Sequence, residues 1–168
     1  PSTSGGISDD GRFVAFASDA NNLTLGDPGN ADVFLRDLTT STTTRLTANL
    51  PVFYSGVRIS GDGNVVGYSR QPAVGQDLLS QAFAFDRTTL ATVAVAPTLF
   101  EVVIQDFSHD GRFAVVTARL ANTTNSPVQV MRVDLTDAWF AEAMGLVQRW
   151  FTLEDPTRLE PAEREVYV

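Results

Sequence analysis

The sequence contains no cysteine and no lysine, and it has no long apolar run. Without cysteine, disulfide bonds, thiolate chemistry and cysteine-ligated zinc are excluded. A membrane-spanning helix needs roughly 18 or more consecutive apolar residues, so membrane insertion is not expected. All 12 basic residues are arginine, against 20 acidic residues, which gives a formal net charge of −8. An acidic chain without a basic run repels phosphate groups, so nucleic acid and anionic lipid are not expected partners.

The length and hydrophobic content are those of a globular domain. The chain has 168 residues, of which 43% are hydrophobic, enough for one domain, or part of a larger one, with a real core. It begins with Pro1 and carries no methionine or positively charged leader there. We therefore expect a mature or trimmed product, which leaves secretion open.

The four-residue pattern Ser-x-Asp-Gly occurs three times, and each copy is followed by an apolar run. The copies begin at residues 8, 60 and 108, so that successive starts lie 52 and 48 residues apart. A fixed period in this range is typical of proteins built from repeated structural units. Because glycine accepts a positive φ and aspartate bonds to nearby backbone, each copy predicts a tight turn between two strands.

A second landmark closes each unit, at Asp37, Asp86 and Asp134, and these positions lie 49 and 48 residues apart. A carboxylate that recurs in every unit indicates a structural role, as an acceptor for the backbone amides of the turn that follows. The same interpretation applies to the aspartates inside the three turns, Asp10, Asp62 and Asp110. We therefore interpret these carboxylates as scaffold and not as paired catalytic acids and bases.

Each unit has the pattern of four short strands. The first strand ends at the turn serine, the second follows the glycine, the third ends at the closing aspartate, and the fourth is polar and alternating. The second strands, such as residues 12–18 and 65–69, are apolar nearly throughout, which predicts that both of their faces are covered. Four antiparallel strands in each period of about 40–50 residues form the pattern of a β-propeller blade.

The predicted fold is all-β, with a repeat domain at residues 1–136 and a C-terminal α-helix. It comprises about three four-stranded antiparallel units, at residues 5–50, 54–97 and 101–136, although the third unit has no convincing fourth strand. Closed propellers have roughly four to eight blades. We therefore expect an incomplete or open propeller, either a fragment or three blades capped by the helix. An open blade edge would favour self-association with another chain.

Residues 137–168 predict a helical segment followed by a charged tail. Asp137 is a good N-cap, and apolar side chains recur at helical spacing, including Trp139, Leu146 and Trp150. Such a face usually packs against its own domain, with binding to a partner as the alternative.

The repeat resembles the WD-like propeller repeats of the TolB type, in which Ser-Pro-Asp-Gly precedes an apolar strand and a later strand ends in aspartate. Ala15–Ser18 and Asp32–Asp37 match this pattern especially well, and the resemblance covers roughly residues 5–136. In the three turns the proline is replaced, by Asp9, Gly61 and His109. That position accepts most residues. The resemblance implies a bacterial propeller protein, periplasmic or secreted, that makes protein–protein contacts.

No catalytic, cofactor-binding or metal-binding residue is assigned from the sequence. His109 is the single histidine; its turn position predicts an exposed side chain, and no Gly-x-Ser-x-Gly motif supports a catalytic role. The loop from Asp27 to Asp32, with Asp19 nearby, collects oxygen ligands of the kind that Ca²⁺ takes. Its spacing does not fit an EF-hand, and the same residue types form ordinary turns, which is the interpretation we favour.

Three functions are compatible with these observations. The first is a non-enzymatic scaffold with a basic or polar protein partner, whose binding weakens as salt rises. The second is the accessory propeller of a larger hydrolase of the prolyl-oligopeptidase type, with its catalytic domain outside this chain. The third is a carbohydrate- or calcium-binding surface domain, suggested by the Thr- and Asn-rich loops. No cofactor is expected.

Overall fold

A computed structural model of the protein describes most of the repeat region. The described residues are 2–26, 29–48, 50, 52–72, 79–95, 99–119 and 127–136. The predicted C-terminal helical segment, residues 137–168, lies outside them. The part of the chain that the structure describes contains no helix of sufficient length and apolar character to span a membrane.

The described strands form three antiparallel sheets in chain order, each a meander of neighbouring strands. The first sheet consists of β1 (Ser2–Ile7), β2 (Phe13–Ser18), β3 (Asp32–Asp37) and β4 (Thr42–Arg45). The second consists of β5 (Val52–Ile59), β6 (Val65–Pro72), β7 (Leu79–Asp86) and β8 (Ala91–Ala94). The third consists of β9 (Leu99–Phe107), β10 (Phe113–Arg119) and β11 (Val128–Asp134). Each sheet is one unit of the sequence repeat.

The second and third sheets are also joined directly. The first residues of β7 pair with β9, in the register Leu79↔Phe100 and Ser80↔Leu99. The prediction of an all-β fold made of three antiparallel units that do not close into a ring is confirmed. Up to residue 136 the third sheet has three strands, so a fourth would fall outside the described residues.

Two apolar clusters hold the sheets against one another. The cluster between the first and second sheets comprises Phe13, Ala15, Ala17, Val33, Leu35, Tyr54, Val57, Ile59, Val66, Tyr68 and Phe85. The cluster between the second and third sheets comprises Val65, Ala82, Ala84, Val93, Val95, Val102, Ile104, Ala114, Val116, Ala118, Met131, Val133 and Leu135. Because side chains alternate along a strand, Val65 and Val66 enter different clusters, and the second sheet is covered on both faces.

Burial along the second strand of each unit shows which faces are covered. In β6, residues 65–69 are all buried, as predicted for a strand between two neighbours. In β10, buried Ala114 and Val116 alternate with Val115, which is exposed. In β2, Val14 and Phe16 are only half-buried. The prediction of two covered faces is therefore wrong for the third unit and only partly met in the first, because each of these sheets has a neighbouring sheet on one face only in the described residues.

Candidate functional site

The three Ser-x-Asp-Gly turns share one hydrogen-bonding pattern, and together they form what we call the turn cluster: Ser8–Gly11, Ser60–Gly63 and Ser108–Gly111. In every turn the serine hydroxyl donates to the aspartate two residues on, at 2.5–2.6 Å. The same hydroxyl accepts the backbone N–H five residues on, at 2.9 Å. Each serine side chain therefore fixes the turn to the start of the next strand.

Glycine is required at the last position of these turns. Gly11, Gly63 and Gly111 have φ values of 71°, 73° and 68°, in the left-handed region that other residues rarely adopt. Each glycine amide donates to the carbonyl of the turn serine, at 2.8–3.0 Å. The predicted tight turns are confirmed.

The turn aspartates have the structural role expected from their recurrence. Asp10, Asp62 and Asp110 each accept the backbone N–H two residues on, at 2.9–3.1 Å. The hydroxyl of the turn serine and this N–H hold the pKa of Asp10 and of Asp110 below its usual value. Burial opposes this effect at Asp62, but its hydrogen bonds still leave the pKa of Asp62 lowered.

The closing aspartates accept from the following turns in the same way. Asp37 accepts the amides of Thr39 and Thr40, at 2.9 and 3.3 Å. In the other units the amides of Thr88, Thr89 and Thr136 donate to Asp86 and Asp134. The predicted role of these residues as amide acceptors is confirmed.

Arginines tie the two kinds of turn together. Arg12 makes three hydrogen bonds to the Asp37 carboxylate, at 2.7–3.2 Å, and this guanidinium holds the pKa of Asp37 well below its usual range. Arg112 makes the corresponding bond to Asp134, at 3.1 Å. In the second sheet Arg87 donates to Gly63 O and to Asn64 Oδ1, at 3.0 and 2.6 Å. The strand-connecting turns at this end of each sheet are thus cross-linked within the sheet.

The three turns also contact one another across the sheets. The amide of Asp9 donates to the carbonyl of Gly61, and the amide of Asp62 donates to the carbonyl of His109, both at 2.8 Å. The imidazole Nδ1 of His109 lies 2.7 Å from Oδ2 of Asp9. The exposed fractions of these two side chains are 70% and 67%. The turn cluster is therefore one continuous surface supplied by all three units.

Gly61 makes room for the pair of His109 and Asp9. A Cβ atom on Gly61 would lie 2.6 Å from Oδ2 of Asp9 and closer still to Nδ1 of His109. The middle unit therefore needs its glycine here so that the first and third units can meet above it.

The structure supplies an acid partner for His109 that sequence reasoning did not single out. The available signal was that Asp9 and His109 occupy the same position of the repeated turn, which places them close together in an array of blades. The exposure predicted for His109 is confirmed. Each turn serine donates its hydroxyl to its own aspartate, and the hydrogen-bond partner of the His109 imidazole is Asp9 and not one of these serines.

The loop from Asp27 to Asp32 is described only in part, since Asp27 and Pro28 lie outside the described residues. Asp32 is the first residue of β3, is fully buried and accepts the Thr47 hydroxyl at 2.6 Å. Arg45 Nη1 lies 3.7 Å from its second oxygen. These contacts of Asp32 are therefore structural contacts within the first sheet and the residues that follow it. Among the described residues no group of three or more His, Cys, Asp or Glu could hold a metal ion. The interpretation as an ordinary loop stays a prediction.

No protein-family model and no curated protein matches the chain, but solved structures do. TolB from Acinetobacter baumannii is 16% identical with a TM-score of 0.57, over 82% of this chain and 31% of that one. The β-propeller domain of the trilobed protease from Pyrococcus furiosus is 14% identical with a TM-score of 0.60, over 90% and 42%. A prolyl endopeptidase is 15% identical with a TM-score of 0.56, over 82% and 21%.

These likenesses define the class of fold. The chain has a β-propeller fold of the TolB-like kind, as the resemblance of its repeats predicted. It spans less than half the length of each of these solved structures. The sheets described above are therefore blades, and the turn cluster lies where the turns of successive blades meet.

Proposed function

We propose that the chain is a non-enzymatic module that binds a basic or polar protein segment at the turn cluster. The observation that carries this proposal is the meeting of Asp9, Gly61 and His109, each from a different blade, on one exposed surface. A surface built from three blades is rigid, because every turn is fixed by its serine and aspartate. Binding to a rigid surface avoids much of the entropic cost of ordering it.

Charge supports the choice of partner. Asp9, Asp10 and Asp110 are exposed in the turn cluster, and the whole chain carries a formal charge of −8. A cationic or strongly polar segment complements such a surface, and salt should weaken its binding. We further propose that the protein works outside the cytoplasm, periplasmic or secreted, as the TolB-like repeats suggest.

A displayed peptide library, selected against the immobilised chain, tests this proposal. Enriched peptides should carry arginine or lysine, and they should bind more weakly at high salt and to Asp9→Asn. The matched control is Asp106→Asn, an exposed acidic position in β9, which should leave binding unchanged. A selection that enriches no such peptide, or peptides that bind Asp9→Asn and the parent chain equally, would contradict the proposal.

A second candidate is an accessory propeller of a larger hydrolase. The likeness to a prolyl endopeptidase structure favours it, as does the likeness to an acylaminoacyl peptidase with a TM-score of 0.56 over 90% of this chain. The reading frame that encodes the chain decides between the candidates. A Gly-x-Ser-x-Gly motif in an adjoining domain would favour the hydrolase, whereas further Ser-x-Asp-Gly units alone would favour the binding module.

A further inference from the structure

The described blades contact one another through one repeated arrangement. A Cβ atom on Gly63 would lie 2.7 Å from the Phe13 ring and 3.2 Å from Ser8 Cβ. One on Gly111 would lie 2.6 Å from Val65 and 3.3 Å from Ser60 Cβ. Gly63 and Gly111 thus each pack on two residues of the preceding blade: its turn serine and the apolar residue that begins the strand after that turn.

The first blade presents the same arrangement to solvent. A Cβ atom on Gly11 would meet nothing within 4 Å. Ile7, which precedes the turn serine, is 57% exposed, whereas Ile59 at the same position of the second blade is 8% exposed. In the third blade the equivalent Phe107 packs over Gly67 of the preceding blade. Among the described residues nothing covers the face of the first blade that bears Ile7 and Gly11, which we call the front face.

The third blade presents the complementary half. Val130 lies four residues before the closing aspartate, as do Val33 and Ala82 in the other blades; those two are fully buried, but Val130 is 45% exposed. Val115 lies four residues after the turn glycine, as does Ala15, which is fully buried; Val115 is 39% exposed. We call this open face, with Val115 and Val130, the rear face.

We propose that the front face of one copy binds the rear face of a second copy, with Ile7 and Gly11 seated against Ser108, Phe113 and Val130. The two faces are the halves of a contact that the chain already makes twice internally, so the new contact would repeat the same backbone packing with different side chains, Ile7 and Val115 in place of Phe107 and Gly67. The occupant is therefore a second copy of this chain, and the new contact continues the established contacts between blades.

Such a contact is heterologous, because it joins two different faces. It yields a closed ring if the rotation that relates one copy to the next returns to the first copy. The described residues of two copies supply six blades, inside the range of roughly four to eight in closed propellers. The contact touches the turn cluster only at Gly11 and Ser108 and leaves out Asp9, Gly61 and His109, which carry the proposed function, so dimer formation and peptide binding can fail separately.

Native mass spectrometry and light scattering of the purified full chain test the proposal. The expected species is a dimer. Val130→Arg and Ile7→Arg should each raise its dissociation constant by about tenfold or more, because each places an unpaired charge in both contacts of the ring. Leu90→Arg, at an exposed turn outside both faces, should leave the dimer unchanged. Thermal unfolding should show that all three variants remain folded, since the replaced side chains are exposed.

Mixing the two interface variants distinguishes front-to-rear contact from a symmetric dimer in which two identical faces meet. Val130→Arg retains an intact front face, and Ile7→Arg retains an intact rear face, so an equimolar mixture should form heterodimers through one intact contact. A parent chain that stays monomeric at the highest soluble concentration would overturn the proposal. So would a dimer that only one of the two variants weakens, or a mixture that forms no heterodimer.

Discussion

The Nδ1 atom of His109 lies 2.7 Å from a carboxylate oxygen of Asp9, 100 residues earlier in the chain. The contact joins the third blade to the first and passes over Gly61 of the second. It exists because three copies of one turn converge on the same point. The pair therefore reports on the packing of all three blades at once, and its single histidine is a convenient probe of that packing.

Gly61→Ala should disrupt this pair at little cost in stability. The new Cβ would displace the imidazole and the carboxylate, but both are ends of exposed, flexible side chains. Exposed ion pairs contribute about 0–1 kcal/mol, so the free energy of unfolding in urea should fall by no more than about 1 kcal/mol. The imidazole signals of His109 in a proton NMR spectrum should shift.

Gly67→Ala provides the matched comparison. Its Cβ would lie 2.6 Å from Cε2 of Phe107, closer still to Cζ of the same ring, and 2.8 Å from Ile104 Cδ1, between the second and third blades. Overpacking of a buried site costs about 1–3 kcal/mol, so Gly67→Ala should destabilise the protein more than Gly61→Ala. Equal losses in urea unfolding would show that the turn cluster is as tightly packed as the blade interface, contrary to the structure.

The three turn glycines offer a measurement of the contact between blades. Gly11, Gly63 and Gly111 have nearly the same φ, so alanine adds the same left-handed strain at each, roughly 1–2 kcal/mol. Only at Gly63 and Gly111 would the new Cβ also collide with the preceding blade, which adds about 1–3 kcal/mol. Chemical unfolding of the monomeric chain, measured in an Ile7→Arg background, should rank Gly11→Ala as the mildest of the three. A Gly11→Ala loss equal to the others would mean that strain alone sets the cost.

The turns and strands could be predicted from the sequence because their signals are local and repeated. The serine, aspartate and glycine of one turn bond to one another, so three copies at a common spacing define the hairpins. The starts of the first strands are harder to predict, since β1, β5 and β9 begin two or three residues before the predicted units at residues 5, 54 and 101. Pairing continues there through bulges, as at Gly56 with φ 59°, where the apolar alternation is interrupted.

Contacts that depend on the angle between blades could not be predicted in this way. The meeting of Asp9 with His109 requires the packing of three sheets, which no local pattern records. From its neighbours in the sequence, Asp32 is predicted to belong to the loop that begins at Asp27. Its burial and its bond to Thr47, which follows β4, become visible only once the sheet is formed.

Ser60→Ala removes a single hydroxyl but should lower the free energy of unfolding markedly. Ser60 is fully buried, and its oxygen accepts the amide of Val65 at 2.9 Å while donating to Asp62 at 2.6 Å. Leaving a buried amide without its acceptor costs about 1–3 kcal/mol. Ser108→Ala removes the same two bonds at a more exposed turn, where water can replace them. Urea unfolding should therefore show the larger loss for Ser60→Ala, and a reversed order would contradict the burial of the second turn.

The protein should become less stable in acid, because its turns stabilise several carboxylates in their charged form. Hydrogen bonds from Arg12 lower the pKa of Asp37, and those of the turn serines lower the pKa of Asp10 and of Asp110. A carboxyl whose pKa is lower in the folded state stabilises the protein above its unfolded value of about 3.9. That contribution disappears as pH falls through the folded value. The melting temperature should therefore be nearly constant between about pH 5 and pH 7 and fall below about pH 4.

Asp37→Asn assigns part of this acid dependence to one site. At neutral pH the variant should melt at a lower temperature than the parent chain, because Arg12 loses its charged partner. Below about pH 4 the Asp37 carboxyl of the unfolded parent chain becomes protonated while the folded one stays charged, so the contribution of the charge to stability shrinks and the difference between the two melting curves should narrow. Arg12→Gln removes the same pair from the other side and should show the same narrowing. A difference that stays constant down to about pH 2.5 would mean that Asp37 stabilises the turn through its shape and hydrogen bonds alone, independently of its charge.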